Sequence, residues 1–255
     1  MPISLPDPRN KVPAIALAFW VIKILSTTVG ETGADFLAVQ VGWGQGLTSA
    51  LMATLLGGAL ALQLRAQRYV PWMYWLSAVL VSVVGTQITD LLTDGLGVSL
   101  YLSSTVFAIT LAAIFASWHA VERDLSIHHI VTRRRELFYW AAILCTFALG
   151  TAVGDLATEA LGLGFSLGSL VFGLLIAATY AAWRLGANAV LTFWIAYILT
   201  RPFGAAIGDL LTQDRTYGGL GIGAMWTSAL FLAFIVSLVT LAQRQVKPGR
   251  SLAGK

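Results

Sequence analysis

The fold is decided by the stretch WVIKILSTTVGETGAD, which runs from Trp20 to Asp35. In this stretch a glycine follows the tryptophan by ten residues and an aspartate follows it by fifteen. The same spacing recurs after Trp75, Trp140 and Trp194. The glycines at this spacing are Gly30, Gly85, Gly150 and Gly204, and the aspartates are Asp35, Asp90, Asp155 and Asp209. A spacing found four times in one chain indicates four copies of one structural unit.

The composition of the 255 residues indicates the environment of these repeats. Hydrophobic residues make up 57% of the chain and charged residues only 11%, which is too few charges to cover a water-exposed surface. Apolar residues run throughout, which excludes a disordered chain and a nucleic-acid-binding arm. The single cysteine, Cys145, excludes a disulfide-stapled module. The sequence therefore predicts a polytopic membrane protein.

Eight apolar segments are long enough to cross a bilayer as helices, which takes about 20 residues each. The four plain segments are Leu47–Leu64, Val98–Trp118, Phe165–Trp183 and Ile222–Ala242. The four segments with acids in their second halves are Val12–Val39, Pro71–Leu96, Leu137–Leu161 and Ala187–Leu211. The predicted fold is an all-α bundle of eight transmembrane helices, built from four parallel two-helix repeats. The chain is expected to form two halves, residues 1–118 and 137–255, joined by a charged loop at residues 119–136.

The distribution of basic residues predicts the orientation of the bundle. Of the sixteen Lys and Arg residues, all but Lys23, Arg201 and Arg215 fall at one face, which the positive-inside rule makes cytoplasmic. We therefore expect a multi-pass protein of the bacterial inner membrane with both termini in the cytoplasm. The first apolar stretch is too long for a removable signal peptide. The repeat tryptophans, each preceded by an aromatic residue, are predicted to be interfacial anchors.

The acids of these segments are the candidate functional residues. Fifteen helical residues carry each repeat aspartate roughly 22 Å from its tryptophan, which places it within the hydrocarbon layer. A second acid lies four residues from three of the aspartates, as Glu31, Asp94 and Glu159, and therefore on the same helix face. In the fourth repeat Gln213 occupies this place and keeps an oxygen ligand without the charge.

Other groups on the same helices complete the predicted site. Thr86 and Thr151 are expected to supply auxiliary oxygen ligands, whereas Lys23 and Arg201 are expected to be charge partners of the acids. The four repeat glycines are predicted to open their helices and to free backbone carbonyls toward a cavity. The alternative for the aspartates is structural: each caps a helix or hydrogen-bonds a Ser or Thr across the bundle.

The charge balance of these helices suggests a function. The four acidic segments contain seven acids and two bases, and each ionised carboxylate at mid-bilayer costs on the order of 3 kcal/mol. Positive charge from another source must therefore compensate the excess of carboxylates. Protons or a bound cation can do so, and a protein that alternates between them is a cation/proton antiporter. Oxygen ligands favour hard divalent ions, with Mn²⁺ as first choice before Ca²⁺ or Mg²⁺. We expect an exporter whose partners are the lipid bilayer, a small cation and protons, with no resident cofactor and no nucleic acid.

Two alternatives to metal export stay open, and a third, an enzyme, is considered and not expected. The first is a proton-coupled carrier of a cationic or polar organic solute, and the second is a non-transporting scaffold or sensor. An enzyme is not expected. Asp155 and Asp209 follow glycines as in intramembrane aspartyl proteases, but the first glycine of the Gly-x-Gly-Asp motif is missing both times. Four equivalent aspartates also fit a binding ring better than a two-carboxylate dyad.

Two resemblances accompany this interpretation. The run from Lys11 through Phe19-Trp20 to Gly30-Glu31-Thr32-Gly33-Ala34-Asp35 resembles the opening of a bacterial family of repeat-containing proteins, described as uncharacterised and membrane-anchored. This likeness extends over nearly the whole chain and implies a membrane architecture, without an activity. Short stretches, Gly154-Asp155 and Gly208-Asp209 among them, are also similar to the Glu-x-Gly-Asp helices of small manganese and calcium exporters, although the residue order differs.

Overall fold

A computed structural model describes residues 9–35 and 41–245 of the chain, without the side chains of residues 31, 34 and 35. This part contains eight α-helices and no strand, as predicted. The helices are α1 (Leu17–Asp35), α2 (Gly44–Arg65), α3 (Pro71–Asp90), α4 (Leu100–Glu122), α5 (Arg133–Asp155), α6 (Gly164–Arg184), α7 (Ala189–Thr212) and α8 (Ala224–Gln245). Five-residue π-helical turns extend α3 over Leu91–Gly95 and α5 over Leu156–Ala160. Neither turn was predicted.

Most of the helices have the length and composition of membrane spans. Within the described residues, the seven helices from α2 to α8 are long and apolar enough to cross a bilayer, and α1 contributes a shorter apolar stretch, Leu17–Gly30. This pattern is that of a multi-pass membrane protein.

The helices are arranged as an inner ring and an outer layer. The inner ring consists of α1, α3, α5 and α7, in which each helix packs against the next and α7 closes the ring against α1. Each outer helix packs on the inner helix that follows it in the chain, and α8 packs on α1. In the 18-residue apolar stretches of α3, α5 and α7, 56–72% of the residues are buried, compared with 11–22% in the corresponding stretches of the outer helices. The outer helices therefore present their apolar side chains to lipid, while the acids of the eight helices, apart from Glu122, lie in the inner ring.

The repeat glycines are points of close contact between inner helices. The contacts are Gly30 with Ser82, Gly85 with Phe147, Gly150 with Arg201, and Gly204 with Thr27. Each partner lies seven residues after a repeat tryptophan, so one contact recurs around the ring. We expected these glycines to open their helices, but all four helices run unbroken through them. They are instead positions where the neighbouring helix leaves no room for a side chain.

Three of the four repeat tryptophans and nearby aromatic residues are buried at the end where the inner helices begin, which we call the arginine-rich end. We call this group of buried side chains the aromatic collar; it comprises Phe19, Tyr74, Trp75, Tyr139, Trp140, Phe193, Trp194 and Tyr197. Hydroxyls of Tyr74 and Tyr139 are 2.6 Å apart and hydrogen-bonded. The prediction of interfacial anchors is wrong for Trp75, Trp140 and Trp194, each at most 5% exposed. Hydropathy alone cannot separate an aromatic ring in the core from one at the lipid surface.

Candidate functional site

Three of the four repeat aspartates are described, and all three lie on the inner ring at the opposite, acidic end. Asp90 ends α3, Asp155 ends α5, and Asp209 lies in the last turn of α7. Each is half-buried, so these carboxylates are partly accessible from the acidic end. The side chains of Asp35 and Glu31, predicted as the corresponding acids of α1, lie outside the described part.

The predicted second acids lie farther out than expected. Asp94 and Glu159 are exposed, and both belong to the π-helical turns that extend α3 and α5. A π turn closes its hydrogen bonds over five residues, so these acids lie outside the regular α-helical register on which the prediction was based. Gln213 is half-buried. Its backbone N–H donates to the backbone carbonyl of Asp209, 2.8 Å away, where α7 ends.

Arg201 is fully buried inside the ring. Its Nη2 atom donates to the hydroxyls of Thr86 on α3 and Thr151 on α5, the latter at 2.7 Å. These two threonines were predicted as metal ligands, and in the structure they hold the guanidinium. Asp90 and Asp155 follow them by four residues and therefore lie on the same helix faces, one turn nearer the acidic end. A fixed positive charge thus lies about one helical turn below two of the repeat aspartates.

Lys23 is the second cation inside the ring and is only 2% exposed. Its Nζ lies 4.2 Å from the centre of the Tyr197 ring and 4.6 Å from that of Phe147. The Phe147 ring also lies 5.9 Å from the guanidinium carbon of Arg201, so it contacts both cations. Among the side chains that the structure describes, no carboxylate lies within salt-bridge distance of Lys23. The Lys23 amine is therefore held against the faces of two aromatic rings and not against a described carboxylate.

The described residues do not form a ready-made metal centre. No group of three or more His, Cys, Asp or Glu side chains gathers closely enough to hold a metal ion within residues 9–35 and 41–245, where the side chains of residues 31, 34 and 35 are left out. The described repeat aspartates lie on three different inner helices at the acidic end of the ring. The buried charge is also smaller than the sequence suggested, because Asp94 and Glu159 are exposed.

A buried ion pair at the arginine-rich end was missed by sequence reasoning. Lys11 Nζ lies 2.7 Å from Glu136 Oε2, and both side chains are buried. Gln63 Nε2 donates to the other carboxylate oxygen at 3.1 Å, and Lys11 Nζ also donates to the Leu64 carbonyl at 3.3 Å. The sequence places Lys11 at the cytoplasmic face and Glu136 in the charged loop, but it does not show that three elements converge on this pair. The network joins the segment before α1 to α2 and α5.

The loop between α4 and α5 is fixed at the same end. The Trp194 indole donates to the Leu125 carbonyl at 3.1 Å, which ties this loop to α7. Burial raises the pKa of Asp124, but hydrogen bonds from His129, the Ser126 amide and Arg135 outweigh burial and leave that pKa below its usual value. The ionised carboxylate therefore stabilises the loop conformation.

Comparisons with known proteins agree with the repeat. A family model described as Repeat of Unknown Function (DUF347) matches the chain four times, over residues 18–69, 73–124, 138–186 and 192–247. These matches coincide with the four two-helix units, so the predicted repeats and the resemblance to an uncharacterised repeat family are confirmed. No curated protein and no solved structure matches the chain.

Proposed function

We propose that this chain, which belongs to the Repeat of Unknown Function (DUF347) family, is a membrane carrier that exchanges a small cation for protons through its inner ring. One observation carries the proposal: Arg201 is buried about one turn below Asp90 and Asp155, which are half-buried at the acidic end of the ring. A scaffold or sensor is a poorer fit, because burying a cation inside a membrane bundle is costly and a neutral side chain could join the same helices.

The arrangement suggests how exchange would occur. A cation that arrives at the acidic end competes with protons for the aspartates, because a carboxylate that binds the cation gives up its proton. Arg201 beneath them repels a cation from going deeper until the carboxylates neutralise it. The aromatic collar closes the other end, so the aspartates are reached from the acidic side in this conformation. Opening of the collar would complete an alternating-access cycle.

The first cation to test is a hard divalent ion. The oxygens of the aspartates and Gln213 suit Mn²⁺, Ca²⁺ or Mg²⁺, and Mn²⁺ is our first choice. A transported ion requires a site that is weak enough to release it, which fits carboxylates distributed around a mouth better than a resident metal centre. With the arginine-rich end in the cytoplasm of a bacterium, the acidic end would face outward and the ion would leave the cell.

A second candidate function is favoured by the surroundings of Lys23. The faces of Phe147 and Tyr197 that bind its ammonium are the kind of surface that binds an organic ammonium. A proton-coupled carrier of a cationic organic solute would bring its substrate to these rings in place of Lys23. The aspartates would then relay protons.

Flux measurements on sealed proteoliposomes test both candidates. We expect flux of Mn²⁺, within a panel of divalent ions, that accelerates under a pH gradient and stops in Asp155→Asn. The matched control is Asp214→Asn, because Asp214 is an exposed acid of the loop after α7 that bonds only within that loop, to Thr216. Flux of organic ammonium ions without metal flux would favour the second candidate. Undiminished flux in Asp155→Asn, or no flux of either class, would contradict the carrier.

A further inference from the structure

We propose that an open cleft at the arginine-rich end of α2 binds the headgroup of an anionic phospholipid. The cleft has a volume of about 760 Å³ and is formed by the last turn of α2, the link to α3 and the segment before α1. It does not belong to the inner ring, and its function does not depend on what the ring transports.

The charge of the cleft fits a phosphate group. Three arginines line it, Arg9, Arg65 and Arg68, and all three are exposed. Within the described part of the chain, neither Arg65 nor Arg68 forms an ion pair with a carboxylate. Guanidinium groups offer paired N–H donors that match the oxygens of a phosphate, and they keep their charge at every physiological pH.

The apolar part of the cleft favours a lipid over free phosphate. Leu62, Val70 and Met73 form much of the remaining wall, beside Ala66 and Gln67, and Leu62 is 46% exposed. Leu62 continues the exposed apolar face of α2 with Leu51 and Leu55, which lies on the lipid side of the bundle. A headgroup held by the arginines could therefore extend its acyl chains along this face. A soluble phosphate would leave the apolar wall without a partner.

The cleft is built on a fixed part of the protein. The Leu64 carbonyl, next to Arg65, accepts a hydrogen bond from Lys11, and Gln63 binds Glu136 on α5. The link from α2 to α3 spans only residues 66–70, and Pro71 begins α3. The backbone that carries Arg65 and Arg68 is thus held from both sides, so little ordering is required when the headgroup binds.

The test compares lipids and variants of the full chain in detergent, with binding measured by native mass spectrometry. We expect phosphatidylglycerol to bind more tightly than phosphatidylcholine with the same acyl chains. The double variant Arg65→Gln/Arg68→Gln should bind phosphatidylglycerol about 30-fold more weakly, at roughly fivefold per arginine. Arg244→Gln is the matched control, because Arg244 is an exposed arginine in the last turn of α8, as Arg65 is in the last turn of α2, and it does not line the cleft.

Three other results would overturn the proposal. An unchanged lipid preference in the double variant would show that the cleft is not the binding site. An equal loss in Arg244→Gln would show that only the overall surface charge matters. Displacement of the lipid by excess inorganic phosphate would assign the arginines to a soluble phosphate. Unchanged thermal unfolding of the double variant is expected, since both side chains are exposed, and it would show that lost binding does not reflect misfolding.

Discussion

Replacement of Gly85 by alanine tests whether close contact at the repeat glycines holds the inner ring together. The added methyl group would lie 2.6 Å from Phe147 Cβ and 3.2 Å from the Ala148 nitrogen on α5. Carbon atoms prefer separations of roughly 3.5–4.0 Å, so α3 and α5 must move apart by about 1 Å. Neither neighbour can rotate away, because one is a Cβ atom and the other is backbone.

The magnitude follows from a comparison with Gly57→Ala. Gly57 lies in the interior of α2, and a methyl group there would meet nothing within 4 Å. Both substitutions gain the same helix propensity, up to about 1 kcal/mol, so this gain cancels in the difference between the two variants. What remains is the cost of overpacking, about 1–3 kcal/mol. We therefore expect Gly85→Ala to be less stable than Gly57→Ala by this amount.

Unfolding in mixed micelles, followed by the fluorescence of the nine tryptophans, measures this difference. The denaturant midpoint of Gly57→Ala should equal or exceed that of the original chain, and the midpoint of Gly85→Ala should fall. Equal midpoints for the two variants would refute the inference that the inner helices meet at these glycines.

Two further predictions concern the arginine-rich end. Lys11→Met should destabilise the protein by about 3 kcal/mol, because it leaves the buried Glu136 carboxylate without its cation, and Lys11→Met/Glu136→Met should recover part of this loss. Equal stability of the single and double variants in the same unfolding assay would contradict this. The lowered pKa of Asp124 gives the loop stability that is present above the usual carboxyl pKa, about 4, and lost as pH falls through its lower native value. The protection of residues 123–132 against hydrogen exchange, relative to the intrinsic exchange rate at each pH, should therefore fall below about pH 4, and an equal fall in Asp124→Asn would refute the assignment.

The sequence was sufficient to predict the eight helices and the four repeats, because length and hydropathy report directly on membrane spans. The division into plain and acidic helices also anticipated the outer and inner layers. Polar groups such as those at Thr86 and Thr151 are costly against lipid and are therefore buried in the ring.

The details of the site required the structure. The spacing of Asp90 and Asp94 predicts a shared helix face, but the π turn after Asp90 changes that register, and no sequence signal marked it. The contact of Arg201 with Thr86 and Thr151 joins three helices that are far apart in the chain. Whether the aspartates gather around one cation stays a prediction.

The order in which the outer helices pack has a consequence for the ancestry of the chain. Since every outer helix is placed on the following repeat, and α8 on the first, no repeat encloses its own core. In a chain of two repeats, the last outer helix would have to pack on the first inner helix of a second copy. Such a chain would therefore assemble as a head-to-tail homodimer. The present four-repeat architecture is what gene duplication and fusion of such a dimer would produce. Separately expressed halves should accordingly find each other and rebuild the ring.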